Sequence, residues 1–293
     1  DLTISSVLRY AQGNRFNKEK VFYTGSAFRK SYNKKNILIK QIGMEIFSSK
    51  DENKDDREII DTSIKVLKKT GFKKAKVEIG NFKLFELLIQ KLSIPQRWKD
   101  RLIKFYWNKE YFSQLLKRLD SNSDIDPFIV AGDHKTYLKM KKEYPKKMIA
   151  GRTYEEIIER YERKINDPRL TKTGKTSSKI IKEFLKIKCS LKDAPKKLNA
   201  FYKKYNLNIS VAKEFFPISK PNQKDLKFKF STSSGRGREV EFYSSFIFSI
   251  DVKIKGKTKT FIAGGRYNDL SSKKLGLRKI PAVGAAVNLA VYE

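Results

Sequence analysis

Several short stretches of this 293-residue chain space polar and charged side chains in ways that could grip a ligand. Gln41, Gly43 and Glu45 alternate along residues 40–47, so on an extended strand all three face the same side. Residues 262–270 read Ile-Ala-Gly-Gly-Arg-Tyr-Asn-Asp-Leu. There Gly264 and Gly265 permit positive φ and leave no Cβ in the way of a ligand. Arg266 follows with a planar fork suited to a carboxylate or phosphate, and Tyr267 adds an aromatic ring. A β-turn bearing a surface arginine accounts for the same stretch when it is taken alone. Asp1 or Thr3 would cap a short helix carrying Ile4, Val7 and Leu8. Asp133-His134-Lys135 holds the lone histidine, where a surface residue is the expectation over a general base.

The elements that position these groups follow from periodicity. Residues 21–29 and 40–47 read as two strands joined by a polar, lysine-rich turn over 30–36. Residues 55–67 read as a helix opened by acids at its positive end and closed at Thr70-Gly71, the acids being structural. Residues 76–80 read as a short strand. Between 81 and 222, apolar residues recur at spacings of three and four, so the segment is expected to be mostly helical. Strict alternation over 226–230 predicts a half-exposed strand, and 231–237 a flexible turn. Residues 253–259 predict a hairpin turning at Gly256.

Composition narrows the class. Apolar residues at 39% and aromatics at 12% fit a folded chain with a sizeable core. Lone Cys189 excludes an internal disulfide, and with one histidine no zinc cluster is expected. No apolar run is long enough for a membrane span, and no secretory signal opens the chain, so a cytoplasmic protein without cofactor is expected. The net charge of +33 comes mostly from scattered lysine. Nucleic-acid readers tend to concentrate arginine among aromatics, so the charge reads as compositional bias and nucleic acid is not the expected partner. The chain opens at Asp1, not Met, and the natural N-terminus is expected upstream.

Taken together, Gly237-Arg238-Glu239-Val240-Glu241-Phe242-Tyr243 and the Gly264-Gly265-Arg266-Tyr267 stretch resemble the paired histidine-site motifs of histidyl-tRNA synthetase. They equally resemble those of its relative, the regulatory subunit of ATP phosphoribosyltransferase. Residues 21–47 resemble motif 2 of class II aminoacyl-tRNA synthetases, and 281–291 resemble motif 3 in outline. The resemblance implies an α+β fold with a class II antiparallel sheet flanked by helices. Residues 1–80 and 223–293 would form the core, and 81–222 a helical insertion. It also implies a histidine-like pocket built from Asp1, Thr3, Arg29, Gln41, Glu45, Arg238, Tyr243, Gly264, Gly265, Arg266 and Tyr267, with no catalytic residue and no metal. Asp1 and Thr3 would hold the α-amino group, Arg29 and Arg238 the carboxylate and phosphate, and Tyr243 the imidazole.

Two departures matter. Motif 2 of the synthetases continues Phe-Arg-x-Glu, whereas this chain has Phe28-Arg29-Lys30-Ser31. Motif 3 carries Glu-Arg where Ala290 and Val291 stand, and no anticodon-binding domain is expected beyond it. Charge opposite the phosphates is what adenylation requires, so losing these anchors should cripple it. The expectation is therefore a non-catalytic regulatory subunit that joins short-form catalytic subunits as a dimer within a hetero-octamer under histidine feedback. Whether histidine binds this pocket or a subunit boundary stays open. The alternatives are a divergent or truncated histidyl-tRNA synthetase and a plain nucleic-acid binder.

Overall fold

The computed structural model describes residues 2–13, 17–28, 38–121, 127–143, 148–165, 167–212, 215–218, 224–237 and 242–291. The chain forms two compact units, 1–87 with 185–293, and 88–184. The first is built on one eight-stranded sheet. Its strands are β1 (Glu19–Phe28), β2 (Leu38–Phe47), β3 (Ala75–Asn81), β4 (Lys188–Ser190), β5 (Leu226–Ser231), β6 (Phe246–Ile254), β7 (Lys257–Arg266) and β8 (Ala282–Asn288). They lie in the order β1-β2-β8-β7-β6-β3-β5-β4. Every pair is antiparallel except β3 with β5, which makes the sheet mixed and not purely antiparallel.

Local chemistry explains the elements. In β6, Phe246, Ile247, Phe248, Ser249 and Ile250 are all buried, the near-continuous run of a strand covered on both faces. β6 and β7 join through Lys255 (φ 48°) and Gly256 (φ 75°), a two-residue turn whose two positive φ angles match the twist of the strands. Helix α2 (Glu52–Lys69) starts three residues before the expected Asp55, because the Asp51 side chain caps it by accepting from Lys54 N at 3.0 Å. Its face of Ile59, Ile60, Ile64 and Leu67 is buried. Helix α1 (Leu2–Gln12) packs through Val7 and Tyr10 into a cluster with Phe47, Tyr267, Leu270, Ile280 and Ala282. Within it the Tyr10 and Phe47 rings stack at 4.6 Å.

The second unit is helical: α4 (Gln96–Lys104), α5 (Lys109–Asp120), α6 (Pro127–Glu143), α7 (Tyr154–Ile165) and α8 (Lys172–Phe184), with α3 (Phe82–Lys91) running into it from the first. Gly174 lets α8 lie close to α5, since a Cβ there would sit 2.5 Å from the Leu119 carbonyl. The unit is shorter than the expected 81–222. Strand β4 pairs with β5, and Tyr202 on α9 (Ala194–Lys204) donates to the Leu84 carbonyl at 3.1 Å, so both belong with the sheet. His134 is exposed on α6.

Candidate functional site

The most unusual group in the sheet unit is Glu45. It is 1% exposed, on a strand paired to β1 through Val21 and to β8 through Gly284. Its Oε1 accepts from the Tyr23 hydroxyl at 3.0 Å and its Oε2 from the Tyr267 hydroxyl at 2.5 Å. Thr3 Oγ1 lies 3.5 Å from the Tyr23 oxygen. Burial pushes the Glu45 carboxyl up to about 7, while hydrogen bonds from Tyr267, Tyr23 and Thr3 pull the other way. Burial first, and then the Glu45 charge, drive both phenols upward, so they stay protonated as donors.

Glycines make this packing possible. A Cβ on Gly43 would fall 2.1 Å from the Tyr23 ring, and one on Gly284 would fall 1.4 Å from Glu45 Oε2. Tyr23 therefore lies across β2, and Glu45 across β8, in space where any other residue would carry a side chain. Tyr243 completes the aromatic wall. Its ring lies 5.1 Å from Phe242, whose own ring meets Tyr267 edge-on at 5.6 Å.

Two expectations change on contact with the geometry. Gly264 and Gly265 are not a turn and do not take positive φ; both lie inside β7. They are required because a Cβ on Gly264 would meet the Gly284 carbonyl at 2.3 Å, and one on Gly265 the Phe246 carbonyl at 2.5 Å and the Tyr243 ring at 2.8 Å. Arg266 is not a ligand fork. It is 0% exposed and its donors turn to the protein. Nε donates to Asp56 at 2.8 Å, Nη2 to the Glu52 carbonyl at 3.0 Å and Nη1 to Asn268 Oδ1 at 3.1 Å. Asn268 Oδ1 also accepts from Ala282 N at 3.1 Å. The arginine thus ties the end of β7 to the first turn of α2 and the start of β8. The acids there do more than match a helix dipole: burial pushes Asp56 up to about 6, with Arg266 pulling it down.

Of the expected site residues, the fold brings together Thr3, Glu45, Tyr243, Gly265 and Tyr267. Gln41 is buried on the same face as Glu45, four residues and about 13 Å along the strand. Asp1, Arg29 and Arg238 lie outside the described residues, as do Ser31, Glu239 and Glu241. Tyr23, Gly43's clearance and Gly284 were missed as site features. The signal for Tyr23 was its parity: it sits opposite Gly43 in the hairpin, a ring across from a bare position. A concavity of about 800 Å³ opens between α1 and β1, lined by Leu2, Ser6, Arg9, Tyr10 and Tyr23 among others. No helix among the described residues is long and apolar enough to cross a membrane.

Chemically, the centre holds a buried carboxylate with two neutral hydroxyl donors and two further lone-pair directions. It can accept from an N–H or share its proton with a weak base. Imidazole, with an ordinary pKa near 6.5, is the side-chain group whose proton affinity lies nearest that of Glu45.

The family model described as Histidyl-tRNA synthetase matches residues 1–291. Among curated proteins, the chain is 25% identical over 299 residues to the ATP phosphoribosyltransferase regulatory subunit of Allorhizobium ampelinum, covering 97% of this chain and 79% of that one. It is 38% identical over 116 residues to the protein of that name from Clostridium acetobutylicum, covering 38% of this chain and 28% of that one. Among solved structures, histidyl-tRNA synthetase from Nostoc sp. PCC 7120 superposes with a TM-score of 0.54 at 15% identity, covering 98% of this chain and 56% of that one. An ATP phosphoribosyltransferase regulatory subunit/histidyl-tRNA synthetase from Bacillus halodurans superposes at 0.50 with 20% identity, covering 99% and 62%. At those identities the superpositions speak for the fold.

Proposed function

We propose that this chain, which belongs to the histidyl-tRNA synthetase family, is the regulatory subunit of an ATP phosphoribosyltransferase and not a synthetase. It supports the first step of histidine biosynthesis and its feedback control, while the catalytic partner transfers the phosphoribosyl group. What carries this is an asymmetry between a retained buried site and two departures in the sequence. On the amino-acid side, Glu45 is held by Tyr23 and Tyr267 beside Thr3 and Tyr243. On the nucleotide side, the short turn Leu289–Val291 after β8 carries Ala290 and Val291 where a synthetase has Glu-Arg, and Ser31 stands for the motif 2 glutamate. The curated relatives that match 97% of the chain carry the regulatory-subunit name, in agreement with that asymmetry.

In this reading the pocket is a histidine sensor. The imidazole donates to Glu45, and the phenols hold the carboxylate in place. The partner is a short-form catalytic subunit, with the regulatory chains pairing as dimers in a hetero-octamer in the cytoplasm. The test is reconstitution: phosphoribosyl transfer should appear only on mixing this chain with a short-form catalytic subunit, and should fall on adding histidine. Robust histidine-dependent ATP–pyrophosphate exchange by this chain alone would instead establish a histidyl-tRNA synthetase core.

A further inference from the structure

Most of the positive charge lies on lysines scattered along the chain. One place gathers them around a concavity. On α9, Lys197, Ala200, Phe201 and Lys204 fall at i, i+3, i+4 and i+7, so they form one stripe of the helix. Lys186 and Lys188 approach from the edge strand β4 and the residues before it. Together they line a depression of about 430 Å³ with Ala200 and Phe201 in its wall. Among the described residues, Lys186, Lys188 and Lys197 form no ion pair. Asp193, the N-cap of α9, accepts from the Ser190 hydroxyl at 2.7 Å.

Lysine on an edge strand blunts unwanted strand pairing, which accounts for Lys186 and Lys188 on their own. It does not account for Lys197 and Lys204 of α9 lining the same depression as a partly exposed phenyl group, with the Lys204 ammonium 5.0 Å from the Tyr205 ring centroid. The lining holds lysine and no arginine, and lysine binds phosphate as a point charge. A ring of ammonium groups beside an aromatic face is the arrangement that holds a sugar-phosphate backbone while a base stacks. The volume suits one nucleotide.

We infer that the β4–α9 concavity binds a nucleotide, its base against Phe201 and its phosphates among Lys186, Lys188, Lys197 and Lys204. A nucleotide reaches the protein free or as a link in a single strand, and the experiment separates the two. One arm titrates a fluorescein-labelled ten-nucleotide oligouridylate by anisotropy; the other titrates AMP by calorimetry, with inorganic pyrophosphate as competitor. Three variants are compared: Lys188→Ala/Lys197→Ala, Phe201→Leu, and a control on the β6–β7 hairpin, Lys253→Ala/Lys257→Ala, which removes the same charge elsewhere.

The site variant should weaken the bound probe tenfold or more and lower the salt slope for the strand by about 1.4, two phosphate contacts at about 0.7 each. Phe201→Leu, which keeps an apolar side chain against the Tyr202 and Tyr205 rings, should weaken it about fivefold or more with unchanged circular dichroism. A response in the strand arm alone identifies the source as nucleic acid, and a response to AMP identifies a free nucleotide. Equal losses in the hairpin control, pyrophosphate competing as well as AMP, or no binding in either arm would each overturn the assignment.

Discussion

Glu45→Gln tests the site most directly, because it keeps the shape and removes only the charge. The amide can still accept from one phenol, and the other hydroxyl can rotate to accept from its NH₂ group, so packing against Tyr23, Tyr267 and Gly284 survives. The stability effect follows from linkage. Burial raises the folded carboxyl from its ordinary 4.5 to about 7, so the folded protein holds this proton more tightly than the unfolded chain. The contribution is fully present below pH 4.5 and is lost as pH climbs through 7. The difference corresponds to about 3 kcal/mol, or about 6 °C in Tm for a chain of this size. Asp56, raised to about 6, and Glu86, also raised by burial, slope the same way and remain in the variant. The difference between wild type and variant therefore isolates Glu45. Thermal melts from pH 4.5 to 8 should show the wild type losing about 6 °C more than Glu45→Gln.

The ligand arm uses the same variant. A hydrogen bond from imidazole to a buried carboxylate is worth about 1.5–3 kcal/mol, so histidine affinity by calorimetry should fall about ten- to hundredfold. Histidine should also bind wild type with little net proton exchange between pH 6 and 7, since ligand and carboxyl share a proton of similar affinity. An affinity changed by less than twofold, or a pH dependence of Tm as steep in Glu45→Gln as in wild type, would refute the reasoning.

Arg266→Met should destabilise the protein by about 3–5 kcal/mol in urea titrations, because it strands Asp56 in a buried site; adding Asp56→Leu should recover most of that loss, which a double-mutant cycle measures. Gly284→Ala should cost about 1–3 kcal/mol and lower Tm, whereas Gly132→Ala, on α6 where a Cβ meets nothing within 4 Å, should be neutral or stabilising in the same melts. Lys255→Asn would put Asn-Gly in the β6–β7 turn, whose first residue already has φ 48°, and should raise stability by about 0.5 kcal/mol.

What was legible in the sequence was whatever a local rule governs. Gln41, Gly43 and Glu45 share a face because alternation is a property of the strand itself. The β6–β7 hairpin was legible from its lysines and Gly256 for the same reason. Arg266 was misread because its partner lies 210 residues away: nothing near it in sequence announces that Asp56 will take its guanidinium. Gly264 and Gly265 were read as leaving room for a ligand, with a β-turn as the alternative; two glycines satisfy positive φ and close approach equally well, and only the neighbouring β8 and Tyr243 decide between them. The helical block was drawn too long at its far end because β4 has only three residues, too few for any periodicity to show.

These errors share a physical source that bears on the site itself. Three glycines here face bulk from elsewhere in the chain: Gly43 meets the Tyr23 ring, Gly284 the Glu45 carboxyl, and Gly265 the Phe246 carbonyl and the Tyr243 ring. The cleft is thus defined by absences on one strand matched to bulk on the next, a complementarity that exists only after the register is set. The same holds for the buried arginine, whose charge is tolerable only because α2 arrives with Asp56 and the Glu52 carbonyl in place. Ala290 and Val291 sit in the short turn Leu289–Val291 beyond β8. Removing Glu45 or its phenols would leave a hole beside β2 and β8. Under the proposed function, an amino-acid pocket persists without adenylation chemistry because its residues are also core.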